Sequence, residues 1–79
     1  MKDSDRYLKI VDWSDEDKCY VGRAPGLMYG GCHGDDERKV FNELCVIVEE
    51  IIADFHADGD PLPAATAGRG FAEMLINAA

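Results

Sequence analysis

Basic side chains are scarce in this 79-residue chain. Eight Lys and Arg residues stand against sixteen Asp and Glu residues, which gives a formal net charge of −8 at pH 7. Such a balance disfavours sequence-independent binding to nucleic-acid phosphates and favours basic partners. The simplest explanation of the charges is a solvated helix face. Between Val40 and Gly68 the chain has no Lys or Arg, but it has Glu43, Glu49, Glu50, Asp54, Asp58 and Asp60.

Long apolar runs and a cysteine framework are also missing. The N-terminal MKDSDRY is polar and leads into no apolar stretch long enough for a signal sequence or a membrane span. Cys19, Cys32 and Cys45 are odd in number and widely spaced, unlike the cysteines of a secreted disulfide framework. We therefore expect a soluble, cytoplasmic protein. At this length a single core leaves a thin stability margin, so self-association is expected.

The first part of the chain has the pattern of a β-sheet. Residues Tyr7–Trp13 (YLKIVDW) and Cys19–Ala24 are rich in aromatic and β-branched side chains, and the polar cluster SDED between them suits a hairpin. Pro25-Gly26 then breaks the second strand. Met28–His33 is predicted as a third strand, with a bulge or close backbone approach at Gly30-Gly31.

One long amphipathic helix follows the strands. Asp35 or Asp36 is the predicted N-cap, because its carboxylate accepts N–H bonds from the first turn. Gly59, followed by a proline two residues later, predicts the end of the helix near positions 57–58. Apolar residues recur with the i, i+3, i+4, i+7 spacing of one buried stripe. They are Val40, Phe41, Leu44, Cys45, Val48, Ile51, Ile52 and Phe55.

Three consecutive strands before a single helix predict an α+β domain, in which a three-stranded antiparallel sheet packs on the helix. A short fourth strand remains an option. We divide the chain into this domain, residues 1–63, and a C-terminal tail, residues 64–79. The tail has one apolar patch, Phe71 with residues 74–76, and is open to three interpretations: a last strand, a short helix, or an arm that docks on another copy.

The order of these motifs resembles a known family. The motifs are Tyr20-Val21-Gly22-Arg23, a Pro-Gly-Leu connector, Gly34-Asp35 before the helix, and Gly-Asp-Pro-Leu-Pro after it. Over about residues 7–63 the arrangement resembles the HicB-type domain of toxin–antitoxin antitoxins. The resemblance implies a partial ribonuclease-H-like β-β-β-α-β fold that has no nuclease role. It also implies that the domain binds and occludes HicA, a small basic toxin ribonuclease, and we predict no catalytic residue, metal or cofactor.

The chain departs from the family in two places. Family members commonly have Thr and Glu where this chain has Asp36 and Lys39, so the capping box is replaced by capping through the aspartates alone. Many relatives continue into a ribbon-helix-helix or helix-turn-helix segment. Here the lead-in Ala-Gly-Arg-Gly-Phe, residues 67–71, is followed by too few residues for a strand and two helices. DNA binding is therefore doubtful, and an autoregulatory DNA-binding protein is the least favoured function.

The acidic helix is the leading candidate for partner binding. Asp54 and Asp58 lie in its last turns, where the helix dipole disfavours negative charge by about 0.3–1 kcal/mol each at exposed sites. Attraction of a basic protein would account for their presence. A homodimer or larger homo-oligomer is expected through an exposed sheet edge or the tail. The predicted partner-binding residues are Glu43, Glu50, Asp54 and Asp58, together with the aromatic residues Trp13 and Tyr29.

The alternative function is a divergent ribonuclease-H-like nuclease or metal-binding enzyme. Two-metal hydrolysis would require a cluster of carboxylates. Helix capping and solvent exposure explain those carboxylates more simply. The residues in question are Asp12, Asp35, Asp36 and Glu43.

A zinc site is the other candidate for metal chemistry. Cys19, Cys32 and His33 approach one another if the second and third strands pair, which would give three zinc ligands. No CxxC or HxxxH spacing supports such a site, and a cysteine is often a small buried apolar residue. His56, near the helix C-terminus, is explained by the helix dipole.

Overall fold

The structure, a computed structural model, describes residues 1–68. The sheet order is β1-β2-β3, with both neighbouring pairs antiparallel. The helix contacts all three strands. The predicted α+β class is therefore confirmed, with one three-stranded antiparallel sheet and one long helix, whereas the ribonuclease-H-like arrangement stays a prediction. The elements are a 3₁₀ helix η1 (Asp3–Arg6), β1 (Ile10–Ser14), β2 (Cys19–Arg23), β3 (Cys32–Gly34) and α1 (Glu37–Asp58).

The ends of α1 lie where the sequence predicts them. Asp36 is the N-cap, and its Oδ1 accepts the backbone N–H of Lys39 at 3.0 Å. Asp35 takes no part in this cap, so the open choice between the two aspartates is resolved. Gly59 ends the helix with a φ of 71°, in the left-handed region that glycine adopts without steric cost.

The buried stripe of α1 is narrower than predicted. Val40, Leu44, Val48 and Ile52 are buried, and four turns of the helix thereby face the sheet. Phe41 is 42 % exposed, because it lies at the margin of the stripe, where it borders an open groove beside β1. The prediction that Phe41 belongs to the core is therefore wrong.

A tight hairpin joins β1 and β2, as the polar cluster predicts. Ser14 pairs with Cys19 across the sheet, and the loop has four residues, Asp15–Lys18. Inside the loop the Asp17 N–H donates to Ser14 Oγ at 3.1 Å, and the Lys18 N–H donates to the Ser14 carbonyl at 2.8 Å. Serine and aspartate satisfy turns in this way because their short polar side chains reach nearby backbone groups.

The first strand starts later than predicted, at Ile10 instead of Tyr7. Asp3–Arg6 form η1. Tyr7, the next residue, turns into the core, where it is 3 % exposed. Its hydroxyl donates to the carbonyl of Pro63 at 2.6 Å. The aromatic residue that suggested a strand therefore serves to join two distant segments of the chain.

The third strand is also shorter than predicted. Only Cys32–Gly34 pairs with β2, while residues 28–31 form a loop. Gly30 and Gly31 lie outside the sheet, so the prediction of a bulge there is wrong. Gly31 approaches the backbone of Gly22 so closely that a side chain there would collide with the Gly22 carbonyl oxygen. A close backbone approach was the second of the two interpretations of this glycine pair.

Gly22 sets the distance between the sheet and α1. The register places Val11, Gly22 and Cys32 in one row across the three strands. A Cβ on Gly22 would meet Cys32 Sγ and Val40 Cγ1 at 3.1 Å each. The side chains of the helix and of β3 thus fill the space above this glycine. The core consists of Tyr7, Ala24, Leu27, Cys32, Val40, Leu44, Val48 and Ile52.

An extended segment after the helix returns to the N-terminal residues. Thr66 is 6 % exposed, and its Oγ1 accepts the N–H of Leu8 at 2.8 Å. The N–H groups of Thr66 and Ala67 both donate to the Arg6 carbonyl at 2.9 Å. We call these contacts, together with the Tyr7–Pro63 bond, the terminal clasp. The rest of the predicted tail, including its apolar patch and the options of a fourth strand or short helix there, lies outside the described residues.

Among residues 1–68, no helix combines the length and the apolar character needed to cross a bilayer.

Candidate functional site

Four acidic residues occupy one side of α1. Glu43, Glu50, Asp54 and Asp58 are seven, four and four residues apart, and these spacings place side chains on one side of an α-helix. All four are exposed. We call this set the acidic flank, and it contains four of the six residues predicted to bind a partner.

The acidic flank lies on the β3 side of the helix. Glu43 is close enough to β3 for its negative charge to act on the Cys32 thiol of that strand. Burial raises the pKa of this thiol, and the charge of Glu43 raises it further. At the other end of the flank, Asp54 and Asp58 border an open cavity of about 310 Å³ that Ile51, Phe55 and Asp60 also line. The flank therefore runs from the edge of the sheet to the C-terminal end of α1.

An apolar notch adjoins this end of the acidic flank. It is a cavity of about 210 Å³ lined by Gly26, Leu27, Met28, Tyr29, Phe55 and Pro63. Phe55 lines both the notch and the acidic cavity, so the two cavities have this side chain in common. Tyr29 is fully exposed at the lip of the notch. Tyr29 thus lines the cavity next to the one at the C-terminal end of the acidic flank.

Trp13 lies elsewhere, on the edge strand β1. It is 49 % exposed, and its indole N–H donates to Asp15 Oδ1 at 2.9 Å. Its ring packs edge-on against Tyr20, with centroids 5.2 Å apart and an interplanar angle of 76°. The six predicted partner-binding residues therefore divide into the acidic flank with Tyr29 on the β3 side and Trp13 on β1.

The opposite side of α1 is covered by the N-terminal residues. Lys2 Nζ donates to Glu49 Oε1 at 3.0 Å, and this hydrogen bond, with the charge of Glu49, raises the pKa of Lys2. His56 Nε2 lies 3.0 Å from Asp3 Oδ2. The sequence assigned His56 to the helix dipole and gave no sign of Asp3, because the two residues are 53 positions apart.

The ion pairs leave the acidic flank unneutralised. Lys2 pairs with Glu49, Arg23 with Asp12, and His56 with Asp3. Within residues 1–68, none of the four flank carboxylates has a cationic partner within ion-pair distance. The flank carboxylates therefore differ from Glu49, on the opposite side of the helix, which Lys2 compensates.

The carboxylates of the alternative nuclease site are dispersed. Asp12 Oδ1 accepts from Arg23 at 2.7 Å on the sheet, while Asp36 caps the helix and Glu43 belongs to the acidic flank. Across the described 68 residues, no group of three His, Cys, Asp or Glu side chains has an arrangement that could hold a metal ion. The structure does not assemble the carboxylate cluster on which that alternative depends.

The three candidate zinc ligands are divided between the two faces of the sheet. Cys32 Sγ lies on the helix side, 3.6 Å from the Val40 carbonyl oxygen. His33, the next residue in the strand, lies on the opposite face, and Cys19 shares that face by the same alternation. All three residues border a shallow cavity of about 380 Å³, but their side chains do not converge there.

The groove beside β1 was not expected from the sequence. It measures about 620 Å³ and is lined by Val11, Phe41, Asn42 and the oppositely charged Glu37 and Arg38. Phe41, which the periodicity assigns to the core, is partly exposed in this groove. The helical periodicity gave no signal for it, because Phe41 fits the apolar stripe by spacing alone.

Comparisons of the chain with protein-family models, with curated proteins and with solved structures found no match. The resemblance to the HicB-type domain therefore stays a prediction based on the motifs.

Proposed function

We propose that this chain is a HicB-like, antitoxin-type interaction domain that binds and occludes a small basic toxin ribonuclease of the HicA type. The observation that supports this proposal is the acidic flank: four exposed carboxylates on one side of α1 with no cationic partner among residues 1–68. The mechanism is binding, so the domain carries out no reaction of its own.

The flank is unfavourable for the isolated domain. Glu50, Asp54 and Asp58 follow one another at i, i+4 spacing, and like charges at this spacing destabilise a helix by about 0.2–0.5 kcal/mol per pair. Asp58 is also the last residue of α1, where the helix dipole opposes a negative charge. A cationic surface placed against the flank would relieve both effects.

The length of the flank fits a protein partner. Glu43 and Asp58 are fifteen residues apart in α1, which corresponds to about 22 Å along the helix axis at 1.5 Å per residue. A row of this length steers and orients a basic protein as it approaches, and the steering weakens as salt screens the charges. We propose in addition that the domain is a homodimer or larger assembly, which sedimentation of the purified protein tests.

The function is tested with the small basic protein encoded by the neighbouring open reading frame. Expression of that protein alone is expected to arrest growth, and coexpression with this chain is expected to restore it. If the neighbouring gene encodes no such protein, or if its product arrests growth regardless of coexpression, the proposal fails.

The role of the flank is tested with two variants of equal charge. E50Q/D54N removes two negative charges from the flank, and the control E16Q/D35N removes two from exposed positions outside it. At low salt we expect the flank variant to bind the basic protein about tenfold more slowly, measured by stopped-flow fluorescence, and the control to change the rate less than about twofold. An equal effect of both variants would mean that only net charge matters.

A further inference from the structure

We infer that the apolar notch is an anchor site for a partner segment that carries one bulky apolar side chain next to an arginine. This inference rests on the proposed function and names the chemistry of the partner at one end of the acidic flank. The apolar side chain enters the notch, and the guanidinium pairs with the carboxylates of the adjoining acidic cavity.

The size of the notch favours a single inserted side chain. Its volume of about 210 Å³ is below the roughly 300–1,000 Å³ of sites that enclose small molecules. Its lining is apolar apart from backbone groups and the Tyr29 hydroxyl, since the side chains are those of Leu27, Met28, Phe55 and Pro63. Pockets of this kind receive the central side chain of a protein interface.

Tyr29 is held at the lip of the notch by the structure of its loop. The N–H groups of Leu27 and Met28 both donate to the Ala24 carbonyl, at 3.2 and 3.1 Å. Leu27 and Ala24 are buried in the core. The residues just before Tyr29 are therefore fixed, and its fully exposed ring offers contact area with few side-chain torsions to order.

The charge around the notch specifies a cationic partner. Asp54, Asp58 and Asp60 line the cavity that shares Phe55 with the notch. In the described part of the chain, no ion pair neutralises any of the three. Arginine suits this setting better than lysine, because its planar group pairs with carboxylates through two hydrogen bonds and stacks on aromatic rings such as Tyr29.

The larger groove beside β1 gives no comparable preference. Glu37 and Arg38 both line it, so its rim favours neither sign of charge. The groove and the notch therefore differ in their chemistry: the groove carries charge of both signs, whereas the notch lies next to a cavity lined by three carboxylates.

The test uses the full chain and two synthetic peptides of equal length and equal arginine content. One peptide carries leucines along one helical face, and the other carries serines at the same positions. We expect the leucine peptide to bind about tenfold more tightly by fluorescence anisotropy. In NMR spectra of the labelled chain, its addition is expected to shift the amide signals of residues 26–29 and 54–60.

Variants then assign the binding to the notch. Y29A is expected to remove most of the advantage of the leucine peptide, Y29F to retain it, and F41A, which replaces an exposed aromatic side chain at the groove beside β1, to leave it unchanged. If both peptides bind equally and shift only residues of the acidic flank, the notch inference is overturned while the proposed function stands. If neither peptide binds at low salt, the charge-based recognition behind both proposals is refuted.

Discussion

Replacement of Gly22 by alanine tests the packing of α1 on the sheet. The added Cβ would meet Cys32 Sγ and Val40 Cγ1 at 3.1 Å and Leu44 Cδ2 at 3.4 Å, whereas carbon atoms pack best at about 3.5–4.0 Å. All three neighbours are at most 7 % exposed, so they cannot move away without shifting the helix or β3. Overpacking of this kind costs about 1–3 kcal/mol.

One effect opposes this cost. Alanine restricts the unfolded chain more than glycine does, which stabilises the folded state by about 0.4–1 kcal/mol where the backbone is compatible. Gly22 is compatible, because its φ is not positive. We therefore expect G22A to lower the free energy of unfolding by about 1–2 kcal/mol, or the melting temperature by roughly 4–16 °C for a domain of this size.

Urea unfolding followed by far-ultraviolet circular dichroism measures the effect. The matched control is G30A, because a Cβ on Gly30 meets no atom of residues 1–68 within 4 Å, and we expect it to change the stability by less than about 0.5 kcal/mol. The double variant G22A/C32A vacates the position of the sulfur atom. It should be more stable than the sum of the single effects predicts, by at least about 0.5 kcal/mol. An unchanged urea midpoint for G22A, or strict additivity, would refute the packing argument.

Two further predictions concern the core. Y7F removes the hydroxyl that donates to the Pro63 carbonyl, and it should lower the free energy of unfolding by about 0.5–1.5 kcal/mol in the same assay; no change would show that the bond is not needed. Burial raises the pKa of the Cys32 thiol in the folded chain above its ordinary 9.0. As the pH rises past 9.0, the unfolded chain therefore loses this proton before the folded chain does. The contribution of the thiol to the free energy of unfolding is complete below pH 9.0 and is lost above it. C32A should lack this component of the pH dependence, and in the parent chain Cys19 and Cys45 should react with a thiol reagent before Cys32 does.

The helix could be predicted from the sequence because its determinants are local. Asp36 caps the start of α1 by accepting the N–H of Lys39, three residues away. The end of the helix at Gly59 depends on the φ angle of that one residue. Glu50 and Asp54 are four residues apart, and this local spacing alone puts them on one side of the helix. Phe41 shows the limit of this reasoning, since periodicity defines a stripe but not how far the sheet extends beneath it.

The remaining features depend on contacts between distant residues. Tyr7 resembled a strand residue until the structure placed its hydroxyl against Pro63, 56 positions away. Likewise, Trp13 and Tyr29 were equivalent candidates as exposed aromatic residues. Only the strand register and the path of the loop before β3 show that Tyr29 lines the cavity next to the one at the C-terminal end of the acidic flank, and this information is absent from local sequence patterns.

The terminal clasp has a consequence for the way the molecule opens. It closes a loop of about sixty residues, since Arg6 and Leu8 bond to Thr66, and contacts of such separation form late and at a high entropic cost. The hairpin and α1, by contrast, are maintained by local bonds. In native-state hydrogen exchange, the amides of Leu8, Thr66 and Ala67 should therefore become accessible together, in a partial opening that leaves the amides of α1 protected.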